Sequence, residues 1–228
     1  MPFDFTLVQK LAVWALPVLF AITVPEMARG YTARALGDRT AQMLGRLSPN
    51  PLRYVDPIGT VLVPGLMLAL GGFLIGWPKV VPVDIRNFRK PLRDIALSSV
   101  AVPVASGLIA VAWAVLLKIA LTVDPAGEGL GLGLRYTAVA GIQISLILMV
   151  LNLIPLPPLA GGHVLLALLP SRAAYRFAQI ERWSFLILLA LLLTGLLGKL
   201  LFWPLAIAEW SLYTLFGMTP SDVLMSGP

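Results

Sequence analysis

Five blocks of nearly unbroken apolar sequence run through the chain: Leu11 to about Met27, Ile58 to Trp77, Ile95 to Leu121, Ala138 to Leu156 and Phe185 to Trp203. Each approaches or exceeds the roughly 20 residues that a helix needs to cross about 30 Å of hydrocarbon. The pattern predicts an all-α polytopic membrane protein. The first block follows Lys10 and resembles a secretory leader, but it runs on to Val24 without a small-residue cleavage motif, so an uncleaved spanning helix is expected.

The polar stretches between the blocks decide which of them cross. Arg29, Arg34, Arg39, Arg46 and Arg53 precede the second block, and Lys79, Arg86, Arg89, Lys90 and Arg93 follow it. If Ile58 to Trp77 spanned the bilayer, these two basic loops would lie on opposite sides, against the tendency of Lys and Arg to stay cytoplasmic. Pro64-Gly65 and Gly71-Gly72 also disfavour an unbroken helix there. The segment is therefore expected to re-enter, packed against other helices.

The four remaining blocks then give one orientation. The N-terminus lies outside, residues 28–94 inside, residues 122–136 outside, residues 159–184 inside, and the C-terminus outside. Pro204 is expected to interrupt the last helix, leaving Leu205 to Phe216, with Trp210 and Tyr213, along the interface.

Composition agrees with this picture. Hydrophobic residues make up 58% of the 228-residue chain and charged residues 12%, too few to cover a soluble globule. No charge run, linker or repeat divides the sequence, so one domain over residues 1–228 is expected. The formal charge of +6 sits in short loops beside apolar blocks. That placement suits contact with anionic membrane lipid and argues against nucleic acid. With no cysteine, disulfides and thiolate metal sites are excluded.

Three ordered stretches carry a resemblance. The first is PEMARGYTARALGDRTAQMLGRLSPNPLRYVDPIGT from Pro25. The second is GWPKVVPVDIRNFRKPLRD from Gly76, followed by AVPVAS. The third is NLIPLPPLAGGHVL from Asn152. Together, over about residues 20–195, they resemble the site-2 protease family of intramembrane zinc metalloproteases, in its small bacterial form.

The resemblance implies a helical bundle with a re-entrant segment and short membrane-associated strands, here Arg46 to Pro51 and Lys79 to Val83. An exposed edge of such strands would hold an extended peptide by strand addition. It also implies a bacterial cytoplasmic (inner) membrane location, with the site near the cytoplasmic side. In the family pattern, zinc-binding histidines stand at positions 25 and 29, a general-base glutamate at 26, and a third ligand, aspartate, at 160. Two imidazoles at i and i+4 share one helical face, which lets them reach one ion.

Here Pro25 and Ala160 offer no ligand atom, and Arg29 is a permanent cation. Pro25, lacking an amide proton, is expected to kink or end the local turn. Only Glu26, a vestigial general base, is retained. The family's substrate-holding Asn position holds Ser106, and Asn152 and His163 complete a candidate pocket. His163 is the single histidine, and with Glu26 it makes two potential ligands where catalytic zinc needs three. As an isolated imidazole it is read as a hydrogen-bonded turn residue. No cofactor is expected, although the family would bring zinc.

Two readings of the altered site stay open. Glu26 and Arg29, at i and i+3, form an ion pair in the former metal position; or Arg29 snorkels to the interface and Glu26 is protonated or wet. Gln143, Ser145 and Asn152 are read as interhelical hydrogen-bonding residues. For function, a catalytically inactive pseudoprotease binding transmembrane segments or partner proteins is expected. The alternative is an active intramembrane metalloendopeptidase with a non-standard metal site. A transporter is set aside, because the chain shows no inverted repeat and only Lys118 and Lys199 lie well inside the blocks.

Overall fold

The computed structural model describes residues 6–63, 65–66, 79, 81–124 and 129–218. Helix α1, Leu7–Ala35, opens on a capping box in which the Thr6 hydroxyl accepts the Gln9 amide and the Gln9 side chain accepts the Thr6 amide. It contains Pro17 and Pro25 and continues through both. The expectation that Pro25 kinks or ends the turn is corrected to this extent: the helix does not end there. One proline removes one helical donor, whereas Glu26, Met27, Ala28 and Arg29 after it all favour helix.

Helix α2, Pro91–Val123, starts with proline at its first turn, where a missing amide proton does no harm. The buried Asp94 carboxylate accepts the Lys90 amide at 2.8 Å and closes that start. Helix α3, Gly129–Asn152, begins well before the expected Ala138. Arg135, within the stretch 122–136 expected outside, is thus a buried helical residue that donates to the Asp124 backbone carbonyl. The helix ends ahead of Pro155, as the proline cluster requires, and a cis peptide bond joins Pro157 to Pro158.

Four shorter helices follow: α4 Ala160–Leu168, α5 Ser171–Ala178, α6 Glu181–Leu193 and α7 Leu196–Leu215. The fifth apolar block is therefore not one straight span. It breaks at Gly195, whose φ of +70° is open to glycine without strain, and the axes of α6 and α7 meet at 84°. Pro204, expected to interrupt, lies inside α7. The bend belongs to the glycine and not to the proline.

α1, α2 and α3 pack on one another, and α4 packs on α2. The main core joins Trp113 and Leu117 of α2 to Val139, Ile142 and Leu146 of α3, with Leu212 and Tyr213 of α7 against them. Outward faces remain apolar: Leu16, Val104, Leu108, Ile119, Phe185, Trp203 and Trp210 are exposed. Such faces suit lipid as solvent. Among the described residues three helices are long and apolar enough to cross a membrane, or four if α6 and α7 form one bent span.

The loop after α1 explains why several motif residues are polar. Asn50 accepts the Leu52 amide, and Asp56 accepts those of Ile58 and Gly59, capping the turns Pro51–Tyr54 and Pro57–Leu62. The buried Tyr54 hydroxyl accepts from the Ser48 amide and donates to the Ser48 carbonyl. Asp38, also buried, accepts from Thr40, the Asp84 amide and the Asn87 side chain. Burial pushes its carboxyl up, but these hydrogen bonds together bring it below the usual value.

Among the described residues no strand forms. The stretch from Arg46 to Asn50 is irregular with a bend at Pro49, and residues 79 and 81–84 run without ladder partners. Their amides go elsewhere: Lys79 donates to the Tyr54 carbonyl and Val81 to a side chain of α1, while Pro82 has no amide proton. The re-entrant segment expected over residues 58–77 falls largely at residues 64 and 67–78, outside the described residues.

Candidate functional site

A cavity of about 170 Å³ opens between α1, α2, α3 and the start of α4. Its walls bring together five positions that are far apart in sequence: Glu26 and Arg29 from α1, Ser106 from α2, Asn152 from α3 and Ala160 from α4. Pro25 also lines it. Of the residues read from sequence as the altered site and its pocket, His163 is the one not on the wall, and it lies against Ser99, which is. The remaining surface is apolar, from Ala21, Ile22, Val102 and Leu148.

Helical spacing on α1 delivers Glu26 and Arg29 to one face. Their contact, Arg29 Nη1 to Glu26 Oε1, is 3.4 Å, which is long for a charge-assisted hydrogen bond. The shorter bond to the same oxygen comes from the Val81 amide at 2.8 Å. Glu26, 9% exposed, is thus held chiefly by a backbone donor 55 residues away and only secondarily by its neighbour. The ion-pair reading holds, with a second partner that sequence did not indicate. The Arg29 Nε is buried and has no partner among the described residues.

At the other wall, the turn from Pro155 to Ala160 sits tightly under α4. A Cβ on Gly161 would lie 2.2 Å from the Leu153 carbonyl oxygen, and one on Gly162 2.3 Å from the Pro157 nitrogen. Only glycine permits that approach. It fixes His163, whose Nδ1 lies 2.7 Å from the Ser99 hydroxyl oxygen of α2. Burial first, and then the charge of Arg29, bring the His163 pKa down to about 4.

Two polar residues behave differently from expectation. Asn152 donates to the Leu148 carbonyl of its own helix, and the buried Ser145 hydroxyl has no partner among the described residues. Neither makes the interhelical bond read for it; for Asn152 the reason is that a helical side chain reaches its own i−4 carbonyl more readily than a neighbour. Ser106 likewise returns to the Val102 carbonyl.

Sequence reasoning passed over Ser99 and Val81. Ser99 could have been found: it lies two helical turns before Ser106 and shares its face. Val81 could not, since it contributes a backbone amide that any residue but proline supplies.

The residues present do not fit a zinc ion. Position 25 has no donor atom, position 160 carries a methyl group, and the guanidinium at 29 would repel a dication. Among the described residues no group of three His, Cys, Asp or Glu side chains could hold a metal.

The profile of Peptidase family M50 matches residues 61–195. The chain is 33% identical over 189 residues to "Putative zinc metalloprotease YwhC" of Bacillus subtilis, covering 82% of this chain and 83% of that protein. It is 30% identical over 195 residues to "Putative zinc metalloprotease Rip2" of Mycolicibacterium smegmatis, covering 84% and 70% respectively. No solved structure gives a significant match. The chain belongs to Peptidase family M50, the site-2 protease family. With its several long apolar helices, it is a multi-pass integral membrane protein.

Proposed function

We propose that this site-2 protease family member is a pseudoprotease, one membrane domain that holds transmembrane segments or partner proteins without cutting them by zinc chemistry. The observation that carries the reading is the engagement of Glu26. Its Oε1 accepts the Val81 amide and faces Arg29, so one oxygen of the former base is engaged by the protein itself. The cavity opens between helices, and Ala21, Ile22, Val102 and Leu148 give it an apolar side beside the polar residues, room for a side chain of a lipid-borne segment packed outside it.

The basic loops around Arg39, Arg46, Arg86 and Arg172 support placing the cavity near the cytoplasmic face of a bacterial inner membrane, in contact with anionic lipid. The competing reading, a metalloendopeptidase with a non-standard site, draws on the retained Glu26 and on the relatives' printed names. Reconstitution in vesicles with a labelled single-span peptide separates the two. Co-purification of intact peptide, unchanged by a chelator, is expected; chelator-sensitive fragments that disappear in Glu26→Gln would overturn the proposal.

A further inference from the structure

We propose that Ser99 is a nucleophile, activated by His163, that takes an acyl group from a small carboxylic ester entering the cavity beside Arg29. This goes beyond segment holding and needs no metal.

The geometry begins with an exception. Ser98, Ser106, Ser184 and Ser211 each return their hydroxyl to a carbonyl of their own helix, or of the residue just before it, as helical serines commonly do. The Ser99 hydroxyl instead meets an imidazole from another helix at 2.7 Å, within the reach expected of a nucleophile and its base. Ser99 is 3% exposed and lines the cavity, so it is approached from that space.

His163 stands where a base would, neutral but made a weak one by its lowered pKa. Burial and the nearby Arg29 keep the ring neutral at physiological pH, so Nδ1 accepts the serine proton when Nε2 carries the ring hydrogen. The close packing at Gly161 and Gly162 holds the ring in place. Arg29 lines the same cavity, and its guanidinium charge favours an oxyanion developing there. At about 170 Å³, the cavity is well below the roughly 300–1,000 Å³ of drug-sized pockets, which limits the acyl group to a short one.

The step balances with these groups alone. The Ser99 proton moves to His163 Nδ1 as Oγ bonds to the acyl carbon, and the carbonyl electron pair moves onto oxygen beside Arg29. Collapse breaks the ester C–O bond, and the leaving alcohol takes the proton from the imidazolium. Water then repeats the sequence on acyl-Ser99, giving the acid and restoring the hydroxyl.

The test uses the full chain in detergent with a short alkyl fluorophosphonate, which forms an Oγ–P bond and releases fluoride. Intact mass and peptide mapping should show one adduct per chain on Ser99, insensitive to chelator and absent in Ser99→Ala. His163→Gln should slow labelling by roughly 100-fold, the scale of a lost general base. No adduct, or an adduct that persists in Ser99→Ala, would overturn the proposal. Because the chain has no cysteine, Ser99→Cys and Ser106→Cys each present a single thiol to iodoacetamide. Faster alkylation at 99 is expected, and equal rates would also overturn it. Labelling without segment binding would contradict only the holding function, and segment binding without labelling only this one.

Discussion

The Val81 amide donates to Glu26 Oε1 at 2.8 Å, while Arg29 Nη1 reaches the same oxygen at 3.4 Å. A buried carboxylate needs its charge met by donors, and here a backbone group from the far side of the second apolar block supplies the closer one. A residue that in a zinc site would polarise water is therefore a tether between α1 and the segment before α2.

Removing the tether should destabilise the protein. Glu26→Ala leaves both the Val81 amide and the Arg29 guanidinium without their acceptor, and a lost hydrogen bond to a charged group is worth about 1.5–3 kcal/mol. Glu26→Gln keeps an acceptor for Val81 and should lose less. Thermal unfolding in detergent checks the order; equal stability of all three proteins would contradict it.

Restoring a metal site should take all three positions. Catalytic zinc requires three protein ligands and an open position. The triple variant Pro25→His, Arg29→His, Ala160→Asp is expected to bind roughly one zinc per chain, by that ligand count. Each single variant is expected to bind none tightly. Metal analysis after dialysis reads the outcome directly.

His163 makes stability depend on pH. In the unfolded chain its pKa is about 6.5, and in the folded protein it is about 4, so between these values the unfolded state binds more protons. The contribution is fully present above about 6.5 and is lost as pH falls toward about 4. Its size is at most about 3 kcal/mol, from 1.36 kcal/mol per pKa unit. Melting curves of the wild type and His163→Gln between pH 4 and 7 should converge at the acid end, through the window set by the two pKa values.

The turn beneath α4 should tolerate no added carbon. A Cβ at Gly161 would meet the Leu153 carbonyl oxygen at 2.2 Å, a backbone atom that cannot swing aside. Gly161→Ala is expected to lower stability by about 1–3 kcal/mol, the range for overpacking, and to displace His163. Gly198→Ala, where nothing lies within 4 Å of the added carbon, is the control.

Much of the bundle was legible because apolar length in a membrane protein is a strong signal. The blocks starting near Leu11, Ile95 and Ala138 correspond to α1, α2 and α3. Helix ends were harder. Pro25 and Pro204 sit within helices, since a single missing donor is outweighed by packing and by flanking helix formers, whereas Gly195, which sequence gave no special weight, makes the sharp bend. The residues around the cavity were found through motif positions, and their gathering follows from which helix faces pack together. What escaped was backbone chemistry at Val81 and the partnership of Ser99 with His163, because neither leaves a periodic trace.

The most direct test of the central claim, that the old metal position is now a guanidinium facing a tethered carboxylate, is the zinc content of the purified wild-type protein after expression in zinc-supplemented medium. The account predicts no stoichiometric zinc and no change in melting temperature on adding a chelator. Roughly one tightly bound zinc per chain, the ligand-count expectation for an intact site and lost in Glu26→Gln, would contradict it.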